Sequence, residues 1–241
     1  MKIINKLVSQ SYIGKTIVES KFKGDSRTIE IITKANESKK YIGSSFLGEK
    51  FDQFLATRPL AESLVYRRNY FNALVQQFKD SHIISVACGR ALELDNKAIG
   101  NNYLTCLDID PIALQAIKDR GLKNVKTKKL NIVTQSIHDL EKADLIYCVG
   151  LFDYLKPRLA RRVYNKLFNQ LKPNGLLVIG NATKQASNKL IMKYLLGWNL
   201  IYRDLKDLIN FDYANYEGVY SDPCKGFNYA FFRKDKTYKF N

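Results

Sequence analysis

From His82 to Ala182 the chain repeats one pattern, a short apolar run followed by a stretch of helical period. "HIISVAC" (82–88) is nearly uncharged, as expected of a strand buried on both faces. "NYLTCLDID" gives a second strand, "VKTKKLN" a weaker third, "ADLIYCVG" a fourth and "LLVIGNA" a fifth. Between them a helix is expected around 90–98. "PIALQAIKDRG" reads as a helix opened by proline and closed by glycine, and "PRLARRVYNKLFNQLKPNG" as one with a proline–glycine stop. After a further helical stretch (184–210), "YEGVYS" and "FNYAFFRK" read as an antiparallel pair of aromatic strands. Strands and helices in this alternation predict an α/β fold, a doubly wound, mostly parallel seven-stranded sheet.

Residues 1–58 lack that rhythm and are expected to form an N-terminal extension of helix, short strand and helix, with the main domain at 59–241. Ile3, Ile4, Leu7 and Val8 suit a short helix, "RTIEIIT" reads as a strand, "KANESKKYIGSS" as a polar connector, and "SSFLGEKFDQFLATRP" as a helix broken at Pro59. A stronger helix is expected over 60–79, with Leu64, Phe71 and Leu74 on one face.

The formal net charge of +16 favours acidic partners: nucleic acid, an anionic membrane face, an acidic carrier protein or a carboxylate substrate. Much of it is lysine spread through predicted helices, which a solvated surface explains. The four cysteines show no metal-ligand spacing and, with two histidines, offer no metal site; buried reduced thiols of a cytoplasmic protein are the expectation. The first residues show helical spacing without a continuous apolar core, which predicts neither a signal peptide nor a membrane span.

In doubly wound sheets, ligands sit at the carboxyl ends of the strands where strand order reverses. The first strand ends at Ala87-Cys88-Gly89, and Asp108 follows nineteen positions after Gly89, near the spacing at which a carboxylate reaches ribose hydroxyls. A dinucleotide would need backbone close to its pyrophosphate, and Arg90, Ala91 and Leu92 crowd that approach. A nucleoside without phosphate needs less.

The series "IISVACGRALEL", "LTCLDIDPIALQAI", "DLIYCVGLFDYL" and "LKPNGLLVIGNA" resembles the class I S-adenosylmethionine-dependent methyltransferases over about residues 60–233. The resemblance implies S-adenosyl-L-methionine as cofactor. Gly89 matches the central glycine of the first motif, with Ser85, Ala87 and Cys88 around it. Asp108 matches the ribose-binding acid, beside Ile109 and Asp110. Asn131 matches the polar contact to adenine, beside Ile132, and Gly150 and Leu151 follow the fourth strand. Ser85 stands where an acid is common, and Ala87 and Ala91 where glycines are common. "YRRNYF", "GLFDYLKPRLARRVYNKLFNQLKPNGLLVIGN" and "NKLIMKYLLGWNLIYRDLKDL" are similar to methyltransferases of hydroxypalmitic acid methyl ester biosynthesis, which make an extracellular bacterial (quorum-sensing) signal.

Phe152, Asp153 and Tyr154 stand where methyltransferases place residues beside the transferred methyl. Glu93 is a candidate for the cofactor's ammonium or for a surface salt bridge, and Asp110 for the site or a simple helix cap. Arg67, Arg68 and Arg203 compete to hold a substrate carboxylate, since a guanidinium fork suits a planar anion. Tyr66, Asn181 and Trp198 are further substrate candidates, with Leu190, Ile191, Tyr194, Leu195 and Trp198 at helical spacing for the wall of an acyl pocket. These readings converge on carboxyl O-methylation of an acyl substrate, free or on an acidic carrier. The alternatives are an RNA methyltransferase, which the charge suggests, and an inactive cofactor-binding interaction protein, which the altered first motif allows.

Overall fold

The computed structural model describes residues 2–20, 26–185, 193–194 and 199–235. Helices α1 (Lys2–Gln10), α2 (Tyr12–Glu19), α3 (Ser26–Ser38) and α4 (Phe46–Ala56) precede α5 (Pro59–Gln76). Their starts are marked chemically. The Ser11 and Ser45 hydroxyls accept the N–H groups of Gly14 and Gly48, and Pro59 opens α5, where its missing N–H costs nothing. Helix α3 corrects the strand expected at "RTIEIIT" and takes in the first residues of the connector after it, Lys34 to Ser38. Its β-branched residues have strand propensity, but Ile32, Thr33, Ala35 and Asn36 are buried at helical spacing, and Glu30 pairs with Lys34 one turn on. Packing overrides propensity there.

The sheet holds β1 (His82–Val86), β2 (Tyr103–Asp108), β3 (Val125–Lys129), β4 (Ala143–Cys148), β5 (Leu171–Ala182), β6 (Tyr216–Ser221) and β7 (Phe227–Arg233). Their spatial order is β3-β2-β1-β4-β5-β7-β6, with β7 antiparallel to both of its neighbours and the other pairings parallel. The expected seven-stranded, doubly wound α/β sheet is what forms. Strand order reverses between β1 and β4, so a crevice opens at their carboxyl ends. Successive residues of β1 feed opposite cores. Ile83 packs with Leu145, Val178 and the helices α2 to α5; Ile84 packs with Ile146, Ile179 and the helix α8 (Pro157–Asn169).

Two more expectations change. The helix predicted around 90–98 shrinks to α6 (Asn96–Ile99), because Ala87, Gly89 and Ala91 adopt positive φ and the chain turns back on itself. The "KPNG" stop of α8 lies within β5, where the pairing with β4 shifts register between Ala143 and Leu145. Helix α7 (Pro111–Lys118) forms as expected. Of the stretch 184–210, α9 (Leu205–Ile209) is helical, whereas Leu190, Ile191, Leu195 and Trp198 lie outside the described residues. Among the described residues no helix is long and apolar enough to cross a membrane.

Candidate active site

The turn after β1 is held from three directions. Cys88 N–H donates to the Leu107 carbonyl of β2 at 3.1 Å, and Gly89 N–H donates to Asp108 Oδ2 at 2.7 Å. The Arg120 guanidinium, just past α7, donates to the carbonyls of Arg90 (2.9 Å), Ala91 (2.8 Å) and Leu94. Ala87 (φ 50) and Ala91 (φ 45) stand in the left-handed region at a cost of about 1–2 kcal/mol each, and the bonds to Ala91 and its neighbours help offset it. Gly89 (φ 54) is different. A Cβ there would lie 2.9 Å from the Cβ of Ser26, so this position needs both the conformation and the space. At Ala91 the N–H bonds to the Cys88 carbonyl and the carbonyl accepts from Arg120, so that position keeps its conformation without a glycine.

Asp108 spends one lone pair of each oxygen on the backbone: Oδ2 on Gly89, and Oδ1 on the Asp110 N–H at 2.9 Å. Burial raises its pKa, as does the Asp110 charge, while the N–H groups of Asp110, Gly89 and Ile109 pull it back. Asp108 lines a cleft of about 200 Å³. Asp110 lines that cleft and also caps α7, its Oδ1 accepting the Ile112 N–H at 2.9 Å, so both of its candidate roles have a structural counterpart. Ile109 stays 54% exposed at the rim, an apolar side chain beside two acids.

Deeper in, Glu93 Oε1 accepts the Tyr147 hydroxyl at 2.8 Å. Burial raises the Glu93 pKa, opposed by the Tyr147 hydrogen bond and by the charges of Arg67 and Arg120. Glu93 is therefore a cleft carboxylate rather than a partner for a surface lysine. Ser85, Ala87, Cys88 and Gly150 line the same space, and the Cys88 thiol is pushed well above its ordinary pKa, first by its contact with Cys106 and then by burial. Among the described residues no cluster of His, Cys, Asp and Glu is placed to hold a metal.

The remaining walls come from helices. Leu64, Arg67, Arg68 and Phe71 face the cleft from α5, and Ser26, Ile29 and Thr33 from α3. Arg67 donates through Nη1 to the Val149 carbonyl at 3.0 Å, just past β4. Arg68 is engaged by Glu37 in a two-pronged ion pair. The α3 residues and Tyr147 were not foreseen as site residues. The first lay in a segment read as a strand, and Tyr147 sits in the middle of an apolar run that signals only a core strand.

Several expected site residues are placed elsewhere. Arg203 is buried and donates to the carbonyls of Phe152 (2.7 Å) and Leu155 (2.6 Å) and to Asn181 Oδ1 (2.6 Å), so it clamps β5 to the turn after β4. Asn181 is consumed in that clamp, donating also to the carbonyls of Ala182 and Ile201. Phe152 is fully buried, edge-on to Phe211, and Ile132 and Leu151 belong to the same core. Asp153 is 3% exposed and accepts the Ala182 N–H. Asn131 closes its own turn, accepting the Val133 N–H at 3.0 Å. Tyr66 and Tyr154 are exposed and do not line the cleft, and Trp198 lies outside the described residues. For Phe152, Asp153, Asn181 and Arg203 the cause is that the chain after β4 folds inward and is tied to the end of β5.

Residues 84–177 match the family model described as a methyltransferase domain. The chain matches none of the curated proteins. Among solved structures it is similar to a possible exported protein from Bordetella parapertussis, at 19% identity and a TM-score of 0.79, over 97% of this chain and 87% of that one. It is also similar to the N-methyltransferase NodS from Bradyrhizobium japonicum WM9 in complex with S-adenosyl-L-homocysteine, at 17% identity and 0.56, over 76% and 91%. A third likeness is to magnesium protoporphyrin IX methyltransferase from Synechocystis PCC 6803, at 11% identity and 0.58, over 73% and 85%. The sheet has the Rossmann-like methyltransferase fold.

Proposed function

We propose that this methyltransferase uses S-adenosyl-L-methionine to methylate the carboxylate of a small acyl substrate, such as a hydroxy fatty acid, free or on an acidic carrier protein. The cleft residues fit the cofactor's parts. Gly89 leaves room where a Cβ would collide, Asp108 has lone pairs to spare for ribose hydroxyls, and Glu93 offers a half-buried carboxylate to an ammonium. Bound there, S-adenosylmethionine supplies a methyl group already activated by its sulfonium. The chain's residues then need only to align the acceptor and exclude water.

The observation that carries the acceptor class is Arg67. One of its donors is fixed on Val149, and among the described residues no carboxylate lies within ion-pair distance of it. Leu64 and Phe71 flank it on the same face of α5, one turn to either side. A fixed guanidinium between apolar walls suits a carboxylate head on an apolar chain. Such an acceptor is ionised at neutral pH and requires no general base. In keeping with this, His82 sits at the opposite end of β1, stacked on Tyr103, and burial depresses its pKa.

The test is Arg67→Ala with a hydroxy fatty acid and methyl-labelled S-adenosylmethionine. The expected result is a kcat/KM for the acid reduced about tenfold or more, a loss of ~1.4 kcal/mol or more, with affinity for S-adenosylhomocysteine within a fewfold of the parent. An unchanged kcat/KM would remove Arg67, and with it the argument for a carboxylate.

A further inference from the structure

Helix α3 is a wall shared by two cavities. Ser26, Ile29 and Thr33 face the cleft over Gly89. Arg27, Glu30, Ile31 and Lys34 face outward into a second, open cavity of about 440 Å³, bordered on its other sides by α2, α4 and the Lys40–Ile42 connector. That volume lies within the range of roughly 300–1,000 Å³ typical of small-molecule sites. Among the described residues, only Arg90 lines both cavities. It follows Gly89 in the turn, and its Nη1 donates to Glu30 Oε2 across α3 at 2.8 Å.

The charges of the second cavity do not balance. Arg27, Lys34, Lys40 and Arg90 face two carboxylates, Glu30 and Asp52. Glu30 serves two cations at once, Lys34 at 2.6 Å and Arg90 at 2.8 Å. Although burial raises the Glu30 pKa, these two partners carry it below the ordinary value, so the carboxylate stays ionised and occupied. Asp52 is occupied by the Ser11 hydroxyl and the N–H groups of Tyr12 and Ile13. Among the described residues, Arg27 and Lys40 are paired with no carboxylate, and the buried Nε of Arg90 has no acceptor. Beside these donors stand apolar surfaces, with Tyr12 39% and Ile42 70% exposed. Unpaired cations around an apolar-walled cavity are the chemistry that receives an amphipathic anion.

We propose that this cavity is a second ligand site, distinct from the catalytic cleft, for an organic anion with an apolar body, and that its occupancy tightens cofactor binding. An anion there screens the mutual repulsion of the four cations and fixes α3 against Arg90, and so fixes the cleft wall over Gly89. The coupling rests on the cofactor reading above; the binding does not.

The experiment uses the full chain and decanoate below its micelle concentration, with decylammonium as the charge-reversed control, both followed by calorimetry. Decanoate is expected to bind at least tenfold more tightly than decylammonium. The double variant R27E/K40E, exchanging two exposed side chains, is expected to weaken decanoate at least tenfold while keeping the parent's circular dichroism. An acyl acid is also the proposed acceptor of the cleft, so these comparisons are made in the Arg67→Ala background, where decanoate binding in the second cavity is expected to persist. Decanoate that is lost in Arg67→Ala but indifferent to R27E/K40E occupies the cleft and overturns the proposal. Equal binding of decylammonium, or no binding of decanoate at millimolar concentration, overturns it as well. For the coupling, saturating decanoate is expected to tighten S-adenosylhomocysteine at least threefold, and saturating S-adenosylhomocysteine to tighten decanoate by the same factor. Unchanged affinities overturn the coupling. A chain that takes decanoate in the second cavity but binds no S-adenosylhomocysteine would leave this site standing and sink the cofactor reading instead.

Discussion

Replacing Asp108 by alanine separates the two things this carboxylate does. Its oxygens hold the Gly89 N–H at 2.7 Å and the Asp110 N–H at 2.9 Å, fixing the turn before any ligand arrives. Stranding two half-buried donors costs about 1–3 kcal/mol each where water cannot replace the oxygen, so a stability loss of ~2 kcal/mol in the unliganded chain is expected from urea unfolding. The spare lone pairs are the proposed ribose contact, and a hydrogen bond to a charged group contributes about 1.5–3 kcal/mol. Losing one weakens the dissociation constant of S-adenosylhomocysteine roughly ten- to a hundredfold. Calorimetry measures this directly, and thermal shifts give a second reading. Ligand at a hundredfold excess over Kd stabilises the parent by ~2.7 kcal/mol, and a tenfold-weaker variant at the same concentration by ~1.4 kcal/mol. A variant that loses stability but binds S-adenosylhomocysteine within twofold of the parent would show that Asp108 shapes the turn and touches no cofactor.

Two further expectations concern the chain after β4. Burial raises the pKa of Asp153 to about 6, against the pull of the Ala182 N–H and the charges of Arg67 and Arg203. The folded state therefore holds a proton that the unfolded state has released, and stability falls as pH rises from about 4 to about 6, by up to ~3 kcal/mol from this group. Asp153→Asn should gain on the parent by that amount across the window in urea unfolding; a constant difference between the two would show that Asp153 does not titrate there. Arg203→Ala strands three buried acceptors at 2.6–2.7 Å and is expected to cost ~3 kcal/mol or more, where Arg67→Ala costs little. Equal stability of these two variants would contradict the clamp.

The sheet was legible because its strands announce themselves. An uncharged run such as "HIISV" buried on both faces has few alternatives, and the proline and glycine around α7 bound it unambiguously. The placing of Gly89, Asp108, Ile109 and Asp110 in one cleft was legible for a related reason: they are local, set by the ends of two adjacent strands. The acceptor side was not, since it depends on which way helices pack. Arg67 and Arg203 look alike in sequence, and only the fold sends one to the cleft and the other into the core. Helix α3 was hidden by its own composition, because "RTIEIIT" carries the β-branched residues of a strand and becomes helical through contacts far along the chain.

Methyl transfer itself is the most direct test. The chain is incubated with methyl-labelled S-adenosylmethionine and, separately, with long-chain hydroxy fatty acids, the matching amides and a mixed RNA pool, and products are read by mass spectrometry. The expected product is the labelled methyl ester of an acid, with none on the amides or the RNA. Its rate should hold from mildly acid to neutral pH and fall only as the acid protonates. Stoichiometric label on a defined RNA, or a chemical step whose rate climbs through about pH 7 as a base with a histidine-like pKa titrates, would contradict the carboxylate account.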